Sequence, residues 1–172
     1  MYIFICENSP NGILTGVYDA WSLKIEKNCS HADIFLLSEQ PDNYELFNEF
    51  YTVNPSPIKT EKVASTLRRK LGQDFYDKIL SAILAVELSS KKKMDKANAV
   101  YQTIVTALHS PHGAKVLEHL GNPYIYRVFE LSRATASEAH HLKGFLRFSE
   151  LKNGILFSRI HPKNNALPFL AE

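Results

Sequence analysis

The stretch Ser137-Glu138-Ala139-His140-His141-Leu142-Lys143-Gly144-Phe145-Leu146-Arg147-Phe148 marks a change of period in the chain. Before it, Ile125, Val128, Ser132, Thr135, Ala139 and Leu142 are spaced three and four apart, the stripe of a half-buried helix. After it, residues 145–151 alternate: Phe145, Arg147 and Ser149 share one face of a strand, Leu146, Phe148 and Glu150 the other. Lys152-Asn153-Gly154 then turns the chain, and residues 155–160 run back. Asn-Gly between two alternating runs is a hairpin signal. The spacing therefore predicts a long helix that starts at the cap Asn122 with Pro123 in its first turn. It ends near Leu142, is stopped by Gly144 and is followed by a β-hairpin.

Toward the N-terminus the pattern is different. Residues 2–6 are an aromatic and β-branched run, followed by the turn-rich Asn8-Ser9-Pro10-Asn11-Gly12. Helical spacing begins at Ile13 and continues through Val17, Ala20 and Leu23. Residues 32–37 and 50–53 read as two more short strands, the second ended by Pro55 and Pro57. Residues 60–71 predict a helix with Thr60 as its cap and Gly72 as its stop. Residues 74–89 and 95–108 predict two more, joined by Lys91-Lys92-Lys93. Pro111-His112-Gly113 breaks the last, and a short helix over 114–120 precedes Asn122. The order of strands, helical middle and hairpin is that of an α+β protein, not of a regular βαβ alternation. We expect a single domain over 1–172, with a strand and helix lobe over 1–56, a helical part over 57–143 and a hairpin over 144–172.

Composition sets outer limits. The 172 residues are 45% hydrophobic and 22% charged, which is enough for one real core. Twenty Lys and Arg face eighteen Asp and Glu, so nucleic-acid contact would rest on a local patch and not on bulk charge. Cys6 and Cys29 are too few for a disulfide framework or a Cys-rich zinc site. Both suit a reducing cytosol. The first residues lack a basic start and a long apolar run, and no window reaches the roughly 18 apolar residues of a membrane span. The expectation is a cytoplasmic protein without membrane contact.

Chemistry concentrates at the opening stretch. Arg133, Ser137 and His140, four and three apart, fall on one flank of the long helix, off the apolar stripe. Lys143 and Arg147 extend that basic region past the helix end. Such a cluster can hold phosphate groups, although the helix dipole alone favours cations at a C-terminus. Arg68 and Arg69 end an earlier helix and join the same footprint if the fold converges them. Tyr124, Tyr126, Phe145 and Phe148 could stack on bases. Glu138 and His140 are candidates for acid/base work, since burial of Glu138 beside the stripe would raise its pKa. Pairing of Glu138 with Arg127, Arg133 or Lys143 is the structural alternative. Adjacent helical residues point about 100° apart, so His140 and His141 cannot both face one metal ion. No Walker loop, Gly-x-Ser-x-Gly, His-Glu-x-x-His or Gly-x-Gly-x-x-Gly is present, and neither a metal nor a cofactor is expected.

Glu138-Ala139-His140 followed by Gly144-Phe145-Leu146-Arg147-Phe148, with a hairpin closing on Arg159-Ile160-His161-Pro162, resembles a bacterial family associated with DNA metabolism and DNA repair, the domain of unknown function 4130. Further matching pieces are Gly12-Ile13-Leu14-Thr15-Gly16-Val17-Tyr18-Asp19-Ala20-Trp21, Leu67-Arg68-Arg69-Lys70-Leu71-Gly72 and Val128-Phe129-Glu130-Leu131-Ser132-Arg133. The family pattern over residues 138–148 reads Glu-Ala-His-Arg-Phe-Lys-Gly-Phe-Leu-Arg-Phe. This chain departs with His141 and Leu142 where Arg-Phe is common, and with Thr135-Ala136-Ser137 where a Val-Gly-Asn type segment is typical. The resemblance implies DNA metabolism, a radical S-adenosylmethionine protein or a uracil-DNA glycosylase-like domain as partner, and a continuation of the chain past Glu172.

Three functions are expected in this order. The first is a nucleic-acid-binding accessory protein with Arg133, His140, Lys143, Arg147, Arg68 and Arg69 on phosphates. The second is an enzyme acting on a nucleobase or nucleotide, with Glu138 and His140 as acid and base. The third is a protein-interaction module without nucleic-acid contact.

Overall fold

The computed structural model describes residues 1–41, 43–86, 94–152 and 154–167. The expected Lys91-Lys92-Lys93 connector, Leu88, the turn residue Asn153, and the apolar Phe169 and Leu170 lie outside the described residues.

The N-terminal lobe is a three-stranded parallel sheet. Strand β1, Tyr2–Ile5, lies between β2, Ile34–Leu37, and β3, Glu49–Thr52. Tyr2 pairs with Ile34 on one side and with Glu49 on the other. Helix α1, Pro10–Lys27, links β1 to β2. Parallel neighbours require such a crossover, so this lobe is a βαβ unit extended by a third strand. The turn-rich Asn8–Gly12 signal is resolved as the start of that helix. The Ser9 hydroxyl accepts from Gly12 N at 3.0 Å, and Pro10 occupies the first turn. Serine satisfies an orphan N–H there, and proline needs no partner of its own.

The helix lies close on the sheet. A methyl group on Gly16 would overlap Cys6 Sγ, and one on Gly12 would overlap the Glu7 carbonyl. Glycine at both positions lets the helix backbone approach the strand ends. Phe4 faces Tyr51 across the sheet, with ring centroids 5.1 Å apart and near parallel.

The middle is helical. Helix α2, Pro57–Leu71, begins at Ser56 and not at Thr60, because Ser56 accepts from Lys59 N and Pro57 takes the first position. The Thr60 hydroxyl instead donates to Asn11 O, tying α2 to the start of α1. Gly72, with φ of 92°, separates α2 from α3, Gln73–Leu84. Helix α3 stops earlier than the expected residue 89, at the extended Ala85. Helix α4, Lys96–His109, is capped by Asp95, whose other oxygen holds Ser38 N at 2.9 Å at the end of β2. The Lys96 side chain is buried and turns back to donate to Ile83 O and Ala85 O at 2.9 and 2.8 Å, the carbonyls that α3 leaves open. The short helix expected at 114–120 is a 3-10 helix over Gly113–Glu118.

Helix α5, Pro123–Phe145, is the longest, and Asn122 caps it through bonds from Tyr124 N and Ile125 N. It runs through Gly144 and stops at the extended Leu146, so Gly144 is no terminator. With no atom within 4 Å of its missing Cβ, that glycine has helical neighbours and nothing forcing a turn. The buried face is Ile125, Val128, Leu131, Thr135 and Ala139. Leu131 takes the place expected for Ser132, whose hydroxyl donates to Phe129 O. A hairpin follows, yet among the described residues only Ser149–Glu150 (β4) and Leu156–Phe157 (β5) pair as strands. The alternation from Phe145 and Arg147 belongs to the helix end and the link, not to a strand.

The architecture is α+β, and one continuous core reaches from Phe4 and Ile13 through Leu67, Phe75 and Val100 to Val128 and Leu131. Among the described residues no helix is long and apolar enough to cross a membrane.

Candidate functional site

Helix α5 packs along α3 and α4, and its outward flank carries the residues singled out above. Phe129, Arg133, Ser137 and His140 follow one another at steps of four, four and three, so they form one exposed row. Lys143 lies at the end of the same row, about 15 Å along the axis from Arg133 at 1.5 Å per residue. Phe129 is 39% exposed, a large ring on an otherwise polar flank.

One side of this row borders a groove of about 250 Å³ between α3, α5 and the 3-10 helix. Arg133 from α5 and Lys78 from α3 both line it, together with Phe129, Val128, Leu117, Ala136 and the hydroxyl residues Ser81 and Ser132. Neither cation has a hydrogen bond or ion pair among the described residues. An unpaired ammonium and an unpaired guanidinium beside an exposed aromatic ring, in a concave surface, are the chemistry of a candidate anion site with a ring available for stacking. Lys78 was invisible to the sequence reading. It lies 55 positions from Arg133, and only the packing of α3 on α5 joins them.

The remaining candidates divide. Arg147 follows the helix end and is exposed, as is Lys143, each without an ion pair among the described residues. Arg68 is already engaged: it meets Glu61 at 3.3 Å, and its guanidinium lies 4.1 Å from the Tyr76 ring centroid. Arg69 is exposed on the same helix. Both therefore belong to the α2–α3 side, and among the described residues no hydrogen bond or ion pair joins them to the row on α5. The rings of His140 and His141 stand 6.4 Å apart, tilted by 48°. Among the described residues no three His, Cys, Asp or Glu side chains converge on a metal position.

Glu138 has none of the partners considered for it from sequence. Arg127 instead donates to Met94 O at 3.3 Å and to Glu130 at 3.4 Å. The Glu138 carboxylate is a socket for the returning chain. It accepts from Lys163 N, from Asn164 N at 2.7 Å and from Asn164 Nδ2 at 2.5 Å. The side-chain oxygen of Asn164 in turn accepts from Val86 N at 2.8 Å, and Asn165 N donates to Leu84 O at 3.1 Å. The expected rise in its pKa is reversed. Desolvation pushes the carboxyl up, but three donors and the Lys163 charge together outweigh it, and the pKa lies below the ordinary value.

Two other features escaped the sequence reading. His31 Nδ1 lies 2.6 Å from the Tyr101 hydroxyl, and its ring meets Trp21 and His109. Desolvation, then the charges of His109 and Lys24, lower its pKa. Residues from three separate elements build this cluster, so no local spacing announces it. A larger groove of about 530 Å³ lies between α1, α2 and α4.

Residues 94–172 match the model of a family described as a domain of unknown function, DUF4130. No curated protein and no solved structure matches the chain. The matched span holds α4, α5 and the hairpin, and hence Arg133, Glu138, His140, Lys143 and Arg147. Lys78, Arg68 and Arg69 precede it.

Proposed function

We propose that the protein is a nucleic-acid-binding accessory factor of DNA metabolism, acting in the cytoplasm beside a radical S-adenosylmethionine partner. The observation that carries the binding reading is the groove where Arg133 and Lys78 stand unpaired around the exposed ring of Phe129. The cations take backbone phosphates, and His140 and Lys143 continue that path along α5, with Arg147 beyond it. The ring of Phe129 takes a base face, which favours single-stranded over duplex nucleic acid. The link to DNA metabolism and to the partner is supported by the family resemblance alone. Glu138 fits the role of an ionised anchor better than that of a general acid, since its oxygens already accept three donors.

The test is binding of a labelled single-stranded oligonucleotide across a salt series. The wild type is expected to show a steep log–log salt slope, and Lys78→Ala plus Arg133→Ala to reduce it by about two, one per phosphate contact. Phe129→Ala is expected to weaken binding without changing the slope. An absence of binding at low salt sinks the reading. The same salt slope in the double variant would move the interface elsewhere.

A further inference from the structure

The larger groove is built differently from the one on α5. Its walls are Val17 and Trp21 from α1, Val63 and Leu67 from α2, and Ile104 and Leu108 from α4. At about 530 Å³ it is of ordinary small-ligand size, and its surface is mainly apolar. The serine and threonine hydroxyls along it are turned inward on their own helices, while Tyr18 brings a phenol to the lining. Ser22 donates to Tyr18 O at 3.0 Å, Ser65 to Lys62 O at 3.2 Å and Thr66 to Lys62 O at 2.7 Å. Their protons are thereby unavailable to a ligand. Recognition falls to the apolar wall, the indole of Trp21, the phenol of Tyr18 and two lysines.

Both lysines are on α2. They are eight residues apart, about 12 Å along the helix axis. The Lys62 ammonium lies 5.7 Å from the Tyr18 ring centroid, a position in which the ring face already offsets part of its charge. Lys70 lines the groove with no ion pair or ring contact among the described residues. Helix α1 runs beside α2 in the same direction, since Thr15 meets Ser56 and Thr60 while Tyr18 meets Lys62. The groove is therefore a channel with one open cation at its Lys70 end.

We infer that this groove binds a small anionic amphiphile, an acyl or aryl carboxylate, with its apolar body against Trp21 and Leu67 and its carboxylate on Lys70. A nucleotide fits the lining poorly, because the edges of a base need several donors, and the serine and threonine hydroxyls have already given theirs to their own helices. The inference is independent of the nucleic-acid reading and uses none of its residues.

Trp21 is the single tryptophan of the chain, so its emission reports on the groove directly. The probe is decanoate below its micellar range, titrated into the full chain, with calorimetry as a second readout. A saturable change is expected. Lys70→Glu is expected to weaken it roughly tenfold, the scale of one charged hydrogen bond lost. Decanol is expected to bind at least as weakly to the wild type as decanoate does to that variant. Lys70 is exposed, so the variant keeps its fold, which an unchanged melting temperature would verify. No saturable heat or emission change with decanoate overturns the inference. So does equal affinity of wild type and Lys70→Glu, or tighter binding of adenosine monophosphate than of decanoate.

Discussion

Glu138 holds Asn164 twice, through its backbone N–H at 2.7 Å and its side-chain amide at 2.5 Å, across 26 residues of chain. A carboxylate in the middle of α5 thus fixes the segment that follows the hairpin. The same asparagine reaches on to Val86, so three parts of the chain meet at one side chain.

This anchor has a pH signature. The folded Glu138 has a pKa below the ordinary 4.5, so the unfolded chain binds more protons in the window between the two values. Its stabilisation is complete above about pH 5 and is lost as the pH falls through the lowered value. Glu138→Gln should cost about 1–2 kcal/mol near neutrality, the scale of charge-assisted hydrogen bonds at a partly exposed site. It should also flatten the acid limb of a melting-temperature profile. Amide exchange at Asn165, which donates to Leu84 O, should speed up in the variant. An unchanged exchange rate would show that the tail is held by other contacts.

Gly16 and Cys6 should be energetically coupled. A methyl on Gly16 overlaps Cys6 Sγ, so Gly16→Ala should cost about 1–3 kcal/mol by overpacking. Cys6→Ala removes the obstructing sulfur, and the double variant should be more stable than the sum of the single effects predicts by about 0.5 kcal/mol or more. Chemical denaturation of the four proteins measures this, and additive effects would contradict the packing. The Cys6 thiol, pushed up to about 12 by desolvation and then by Asp95 and Asp19, should also resist thiol reagents in the folded protein.

Lys96 sets an alkaline dependence of the opposite kind. Desolvation, opposed by Asp95 and Glu39, holds its pKa below the ordinary 10.5. Between the lowered value and 10.5 the unfolded chain binds the extra proton, so stability rises with pH across that window. The neutral amine still has two hydrogens for Ile83 O and Ala85 O. Lys96→Met should remove the rise and cost about 1–3 kcal/mol at neutral pH, because two buried carbonyls lose their donor. Melting curves recorded at intervals between pH 7 and 10.5 would reveal it.

The arginines should separate by role. Arg68 is tied to Glu61 and Tyr76, and Arg68→Ala should lower stability by about 0.5–1 kcal/mol. It should leave any oligonucleotide salt slope unchanged. Arg133→Ala should do the reverse. If both variants shift the slope equally, the footprint spans α2 as well as α5.

Much of this fold could be read from spacing because its signals are local. Asn122-Pro123, Gly72 and the three-and-four rhythm of α3 and α4 each act within one turn of helix. The parallel pairing of β1 with β2 and β3 could not, since it joins segments more than thirty residues apart and has no turn signature. Gly144 misled because a glycine stops a helix only where the backbone must enter a positive φ, and Leu146 exits in an extended conformation instead. At the candidate site, the row on α5 followed from periodicity. The pairing of Arg133 with Lys78, and of Glu138 with Asn164, is tertiary and had no sequence counterpart.

The hairpin bears on how this chain can change over evolution. Residues 146–162 leave the body at the end of α5 and return at the residues gripped by Glu138. Both strands are exposed on both faces. The excursion is thus pinned at its base and free of the core. Each doubling of such a loop costs only about 0.6 kcal/mol in closure entropy. Its length can drift from one relative to the next while the helices beneath keep their packing. A surface of this kind can acquire or lose a binding specificity without the fold having to be rebuilt.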